Sequence, residues 1–146
     1  MNESGILNSV TTRNAHYACA LIVRDGKALL GRRAHFRAAY PECWDFIGGK
    51  VEEGETPEQA LTRELGEEIA ISPVNVSYFD KLEDSHIHAD DPPVYHFFKV
   101  QQWTGGEPII NNHEHSDLEW FTLRQACDLS NLALPEYRQL LEAALG

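Results

Sequence analysis

Glu64, Glu67 and Glu68 stand at i, i+3 and i+4, a spacing that on a helix gathers three carboxylates on one face within about one turn. Like charges held so close repel each other, and oxygen-only ligands clustered in this way suit Mg²⁺ or Mn²⁺, which would turn the repulsion into an attraction. A solvated helix face in which Arg63 pairs Glu67 at i+4 is the metal-free alternative. The wider charge pattern bears on the ligand. The 146 residues include 12 basic and 23 acidic side chains, a net charge of −11. Residues 1–50 carry seven Lys/Arg against four Asp/Glu, and the acidic excess lies in 51–146. A nucleic-acid polymer would meet net repulsion, since binding to it rests on many phosphate contacts from Lys and Arg. A small phosphorylated molecule fits if a divalent cation sits between its phosphates and the carboxylates.

The elements that must position these residues are legible. Thr56 is placed as N-cap, Pro57 as the first helical residue and Gln59 as the partner in a capping box, opening a helix to about Ala70 whose Leu61, Leu65 and Ile69 form an apolar stripe facing a sheet. Ahead of it, His16–Val23 and Ala28–Gly31 flank an Asp25-Gly26 turn and predict a hairpin. Residues 32–43 read as a basic loop, and Trp44–Ile47 as a short strand stopped by Gly48-Gly49. Val74–Leu82, Val94–Trp103 and Leu118–Phe121 have strand composition, with two short helices near Leu123–Leu129 and Pro135–Leu145. The mixture predicts one α/β domain with a mixed sheet (α+β) over residues 14–146, preceded by a loose tail, 1–13. Cys19, Cys43 and Cys127 are too few and too widely spaced for a disulfide framework. No apolar run reaches membrane-spanning length and the N-terminus lacks a secretory pattern, so a cytoplasmic protein away from membranes is expected.

Written out, the segment is Gly49, five residues, Glu55, seven residues, then Arg63-Glu64-Leu65-Gly66-Glu67-Glu68-Ile69-Ala70-Ile71. It strongly resembles the Nudix box and matches each specified position except Ala70, where the family has Gly. The resemblance implies an α/β/α sandwich around a mixed sheet and Mg²⁺-dependent (Mn²⁺ possible) hydrolysis of a nucleoside diphosphate linked to another group. It implies Glu64, Glu67, Glu68 and the Gly48 carbonyl as metal ligands, with Glu64 also handling the attacking water. Arg63 and Glu55 would join loop to helix, with Gly49 structural. Ala70 is expected to shift the helix end without loss of chemistry.

Beyond the box, Glu114 stands five residues before Glu119-Trp120, where MutT-like members of the family place a further catalytic glutamate. Trp44-Asp45-Phe46-Ile47-Gly48-Gly49-Lys50 resembles that group's glycine-rich segment, with Ile47 in place of proline. Arg32, Arg33, Arg37 and Lys50 are candidate phosphate contacts, and Trp44, Phe46, Tyr78, Phe79 and Tyr95 candidate base-stacking residues. His86, His88, His113 and His115 are taken as surface or substrate-facing imidazoles rather than a zinc site. The asparagine with which the MutT-like group reads an oxidised purine has no counterpart in Leu132–Glu136. A nucleoside triphosphate, cleaved to monophosphate and pyrophosphate by a monomer or homodimer, is the expected substrate. An ADP-ribose or other nucleotide-sugar pyrophosphatase and a non-catalytic nucleotide-binding module are the alternatives.

Overall fold

The computed structural model describes residues 14–146, so the tail expected over 1–13 lies outside the described residues. β1 (His16–Arg24) and β2 (Lys27–Arg33) form the predicted hairpin, turning through Asp25 at φ 53° and Gly26 at φ 75°. Left-handed conformations at both turn positions match the twist of the flanking strands, which is why an Asp-Gly pair serves there. β2 is flanked by β3 (Trp44–Asp45) and β9 (His115–Thr122). On its other side β1 runs parallel to β7 (Val94–Val100), and β6 (Ser77–Glu83) forms the edge beyond it. β4 (Ile47–Lys50) pairs antiparallel with the first half of β1. A separate ribbon joins β5 (Ser72–Val74) to β8 (Gln102–Thr104).

Alternate residues of β1 are buried on opposite faces, so the sheet must be covered twice. Ala18, Ala20 and Ile22 meet Leu61, Leu65 and Ile69 of α1 (Pro57–Ile69). Cys19 and Leu21 face the opposite layer, filled by Phe46, Phe97 and the buried residues of α3 (Tyr137–Leu145), with the short α2 (Leu123–Cys127) leading into it. The result is the expected α/β/α sandwich around a mixed sheet.

Several expectations are corrected. The strand at Trp44–Ile47 breaks at Phe46, whose amide donates to Asp45 Oδ1, and Gly48-Gly49 continue β4 instead of ending it. Glycine is required there by closeness: a Cβ on Gly48 would strike the Ala18 carbonyl of β1. Arg32 and Arg33 belong to β2 and not to the loop, which spans residues 34–43. The stretch 74–82 divides at Asn75, φ 56°, and the stretch 94–103 divides at Gln101. All three cysteines are free, as expected.

The end of α1 is not shifted by Ala70. This residue adopts the left-handed conformation itself, at φ 60° and ψ 37°, and its N–H donates to the Leu65 carbonyl. An L-residue with a Cβ pays about 1–2 kcal/mol for that conformation, against a larger unfolded-state entropy for glycine. Ala70→Gly should therefore stabilise the fold by about 0.5–1 kcal/mol and raise Tm by roughly 1–4 °C. A thermal melt checks this, and an unchanged or lowered Tm would contradict the account.

Candidate active site

The helix cap and the loop before it bring the acidic residues to one end of the sheet. Thr56 Oγ1 accepts from the Gln59 amide and Gln59 Oε1 accepts from the Thr56 amide, the predicted box. Immediately before it, Glu55 accepts from Arg63 Nε at 2.8 Å and from Nη2 at 3.0 Å, a bidentate pair that lowers its pKa to about 2. The same guanidinium donates to Glu64 Oε2 at 2.7 Å and to the Lys50 carbonyl at 3.1 Å, and lies 3.5 Å from Glu67. The expected link between loop and helix is present. So is the i,i+4 contact of the metal-free alternative.

The three box glutamates do not share one environment. Glu67 is 57% exposed, Glu64 only 12%, and Glu68 is sealed between helix and sheet with neither carboxylate oxygen hydrogen-bonded. Burial first, then neighbouring Glu64 and Glu114, pushes the Glu68 pKa well above the usual carboxylate range. His115, expected at the surface, is buried against it, with Nδ1 3.3 Å from Glu68 Oε1. Burial, then Arg37 and Arg33, pushes its pKa down to about 4. Both shifts favour the neutral forms, so the contact gains little as an ion pair. Gly31 makes room for this imidazole, since a Cβ there would touch its ring. No local signal marks His115; its burial follows from the pairing of β2 with β9.

Glu114 lies immediately before β9, with its Oε1 accepting from Arg37 Nη1 at 2.9 Å. These residues line a cleft of about 660 Å³ together with Gly48, Gly49, Arg33 and Lys50. Tyr17, Phe46, Tyr95 and Tyr137 form aromatic walls of the same cleft, and Asp45 also lines it. Asp45 is held by Arg33 Nη1 at 3.4 Å, and burial raises its pKa despite that guanidinium. Tyr40 and Tyr95 both donate to Asp84 Oδ2 at 2.7 Å, joining the 34–43 loop to β7 through a buried carboxylate. Tyr17, Tyr40, Asp45, Asp84 and Tyr137 escape a linear reading because they come from five separate segments.

Two predicted contacts are not brought to the cleft. Arg32 turns outward to Glu42, and Trp44 packs in the core edge-on to Phe121. Among the candidate stacking residues, Phe46 and Tyr95 line the cleft; Tyr78 is exposed beside His96. His88 reaches the rim.

The donors suit a hard divalent cation: Glu68 has two buried oxygens without partners, and Glu64 and Glu114 are close enough to raise its pKa. Among the described residues, no group of three or more His, Cys, Asp or Glu side chains is already arranged to hold a metal ion. Glu64 leans on Arg63 and Glu114 on Arg37.

The family model for the NUDIX domain matches residues 12–144. The chain belongs to the NUDIX family of hydrolases. Its relatives place it in the MutT-like group. It is 45% identical over 83 residues to the 8-oxo-dGTP diphosphatase of Escherichia coli (strain K12), a match covering 54% of this chain and 57% of that protein, little more than half of each. It is 34% identical over 133 residues to the CTP pyrophosphohydrolase of the same strain, covering 87% of this chain and 88% of that protein. Among solved structures, the MutT NUDIX hydrolase from Burkholderia pseudomallei superposes with a TM-score of 0.77 at 29% identity, covering 89% of this chain and 97% of that one. Nudix hydrolases generally use divalent metal ions, in keeping with the donor set here.

The two box glycines of this Nudix hydrolase make separable demands. A Cβ on Gly49 would displace the Glu64 carboxylate, a flexible tip, whereas one on Gly48 would meet backbone. Gly49→Ala should keep Tm within a few degrees while Mn²⁺ affinity falls about 10–100-fold. Gly48→Ala should destabilise the fold by roughly 1–3 kcal/mol. Calorimetric titration and denaturant unfolding of both variants check the contrast.

Proposed function

We propose that this protein hydrolyses nucleoside 5′-triphosphates to the monophosphate and pyrophosphate, with Mg²⁺ or Mn²⁺ as cofactor. The carrying observation is the lining of the cleft: Glu64 and Glu114 stand in it with Arg33, Arg37 and Lys50 and with aromatic walls, while Glu68 is buried against His115, the residue after Glu114. Its volume lies within the range of small-molecule sites. The two named relatives act on nucleoside triphosphates by their descriptions, which supports this reading over a nucleotide sugar. A cluster of carboxylates that taxes the fold supports an enzyme over a module that only grips its ligand.

Glu64, Glu67, Glu68 and the Gly48 carbonyl would hold the cation. Bound there, it supplies positive charge for the non-bridging phosphate oxygens and lowers the pKa of water. The chain's own groups do the rest. Arg37 and Lys50 bind phosphate oxygens through charge-assisted hydrogen bonds, while Arg33 stays on Asp45 and the Ala39 carbonyl. Glu64 accepts the proton of the attacking water at its carboxylate, aimed by Arg63 from one side and admitted by the missing Cβ of Gly49 on the other. Phe46 and Tyr95, both in the cleft lining, enclose the base and keep water from it.

The start of α3 bears on base choice. Asn131, the nearest amide, is spent on the Glu42 carbonyl, and Tyr137 is buried with its hydroxyl on Asp45. This favours a base other than oxidised guanine, cytosine among them.

A panel of CTP, the other nucleoside triphosphates, 8-oxo-dGTP and ADP-ribose, analysed by product identity, tests the reading. Triphosphates should yield monophosphate and pyrophosphate, and EDTA should abolish turnover; turnover surviving chelation or confined to ADP-ribose refutes it. A general base contributes about 10²–10⁴-fold, so Glu64→Gln should lower kcat by at least 10²-fold, and Glu114→Gln by less. A larger kcat loss at Glu114 with metal affinity retained would move the water-handling role there.

A further inference from the structure

We propose that Arg37 and Glu114 form an exchangeable pair: Arg37 occupies the Glu114 carboxylate until a divalent cation claims the carboxylate or a phosphate claims the guanidinium. The hydrolase reading supplies the phosphate's source; the pair itself rests on geometry. Main-chain hydrogen bonds hold the backbone on both sides of it. The Ala34 amide donates to the Glu114 carbonyl at 3.0 Å, the Arg37 amide donates to the Ala34 carbonyl at 3.1 Å, and Arg37 Nη1 donates to Glu114 Oε1 at 2.9 Å. The Glu114 amide donates to Asn112 Oδ1, and the Asn111 amide donates to the Glu68 carbonyl, pinning the same loop to α1. The main chain therefore stays in place while the side chains can turn. Glu114 is 43% exposed, and water can replace either partner.

Arg37 differs from the other cleft arginines. Arg63 is bidentate to Glu55 and also holds Glu64, and Arg33 is tied to Ala39 and Asp45. Among the described residues, Glu114 is the one hydrogen-bond partner of the Arg37 guanidinium, leaving other N–H groups for a phosphate at the cleft wall. Glu114 precedes His115, whose Nδ1 lies 3.3 Å from Glu68 Oε1, and it lines the same cleft as Glu64, so a cation drawn to these carboxylates also attracts Glu114, in competition with Arg37. The consequence is reciprocal coupling: phosphate on Arg37 frees Glu114 and tightens cation binding, and the cation frees Arg37 for phosphate.

The test uses Mn²⁺ titration of the full chain without nucleotide, in wild type, Arg37→Ala, Glu114→Gln and the double variant, each first checked by a thermal melt. Arg37→Ala should bind Mn²⁺ about 2–5-fold more tightly, as expected for losing a competing, partly exposed ion pair. In the Glu114→Gln background the same substitution should change affinity less than twofold. Equal tightening in both backgrounds would mean that Arg37 acts only as a nearby positive charge, and that result, like unchanged or weaker binding in Arg37→Ala, overturns the pair. Inorganic triphosphate should tighten Mn²⁺ binding more in wild type than in Arg37→Ala, allowing for Mn²⁺ chelated in solution; equal tightening also counts against it. If Arg37→Ala does not fold, Arg37→Gln carries the same comparison. The expected Mn²⁺ pattern in a protein that hydrolyses no nucleotide would uphold the pair and refute the hydrolase reading instead.

Discussion

The guanidinium of Arg63 reaches Glu55 in the loop, Glu64 and Glu67 on its own helix, and the Lys50 carbonyl on β4. A planar fork with five donors can satisfy several acceptors at once, which a lysine ammonium at the same place could not do with fixed directions. Because Thr56 caps the helix directly after Glu55, this one group sets the loop, the first turns of α1 and the end of β4 relative to each other. The stripe of Leu61, Leu65 and Ile69 then presses the helix onto the sheet, and Glu68, one residue from Ile69, is carried into the seam.

Each crowded carboxylate has its own means of neutralisation. Glu64 has Arg63, Glu114 has Arg37, and Glu68, which among the described residues has no Lys or Arg partner, has its pKa raised so that its neutral form is favoured. An ionised and unpaired carboxylate in that seam would be prohibitively costly. The cleft thus stores negative potential, and what masks it differs from place to place: a single-bonded pair at Glu64, a more exposed pair at Glu114 and burial at Glu68.

Much of the helix was legible in advance because its signals are local. A cap, a proline, a capping glutamine and a four-residue stripe all act within a few turns, and the structure follows them from Pro57 to Ile69. The glycines were legible as sites of close approach but not as strand residues, since the Ala18 carbonyl that forbids a side chain on Gly48 lies 30 positions earlier. His115 and Trp44 were misjudged for the same reason. Neither has a local mark of burial; His115 is enclosed by the pairing of β9 with β2, and Trp44 by contact with Phe121 and Leu132. The tyrosines around Asp84 needed three chain segments to be placed before they could be read as one group.

The residues assigned to reaction and those assigned to recognition have different genetic linkage. Gly48, Gly49, Glu55, Arg63, Glu64, Glu67 and Glu68 belong to one short uninterrupted stretch of coding sequence, with Glu114 the outlier. The aromatic walls draw on Tyr17, Tyr95 and Tyr137, which lie in stretches remote from it and from each other, as well as on Phe46 beside it. Mutations that reshape those walls leave the stretch untouched, so descendants of such a gene can exchange one ligand for another while inheriting the same means of breaking it.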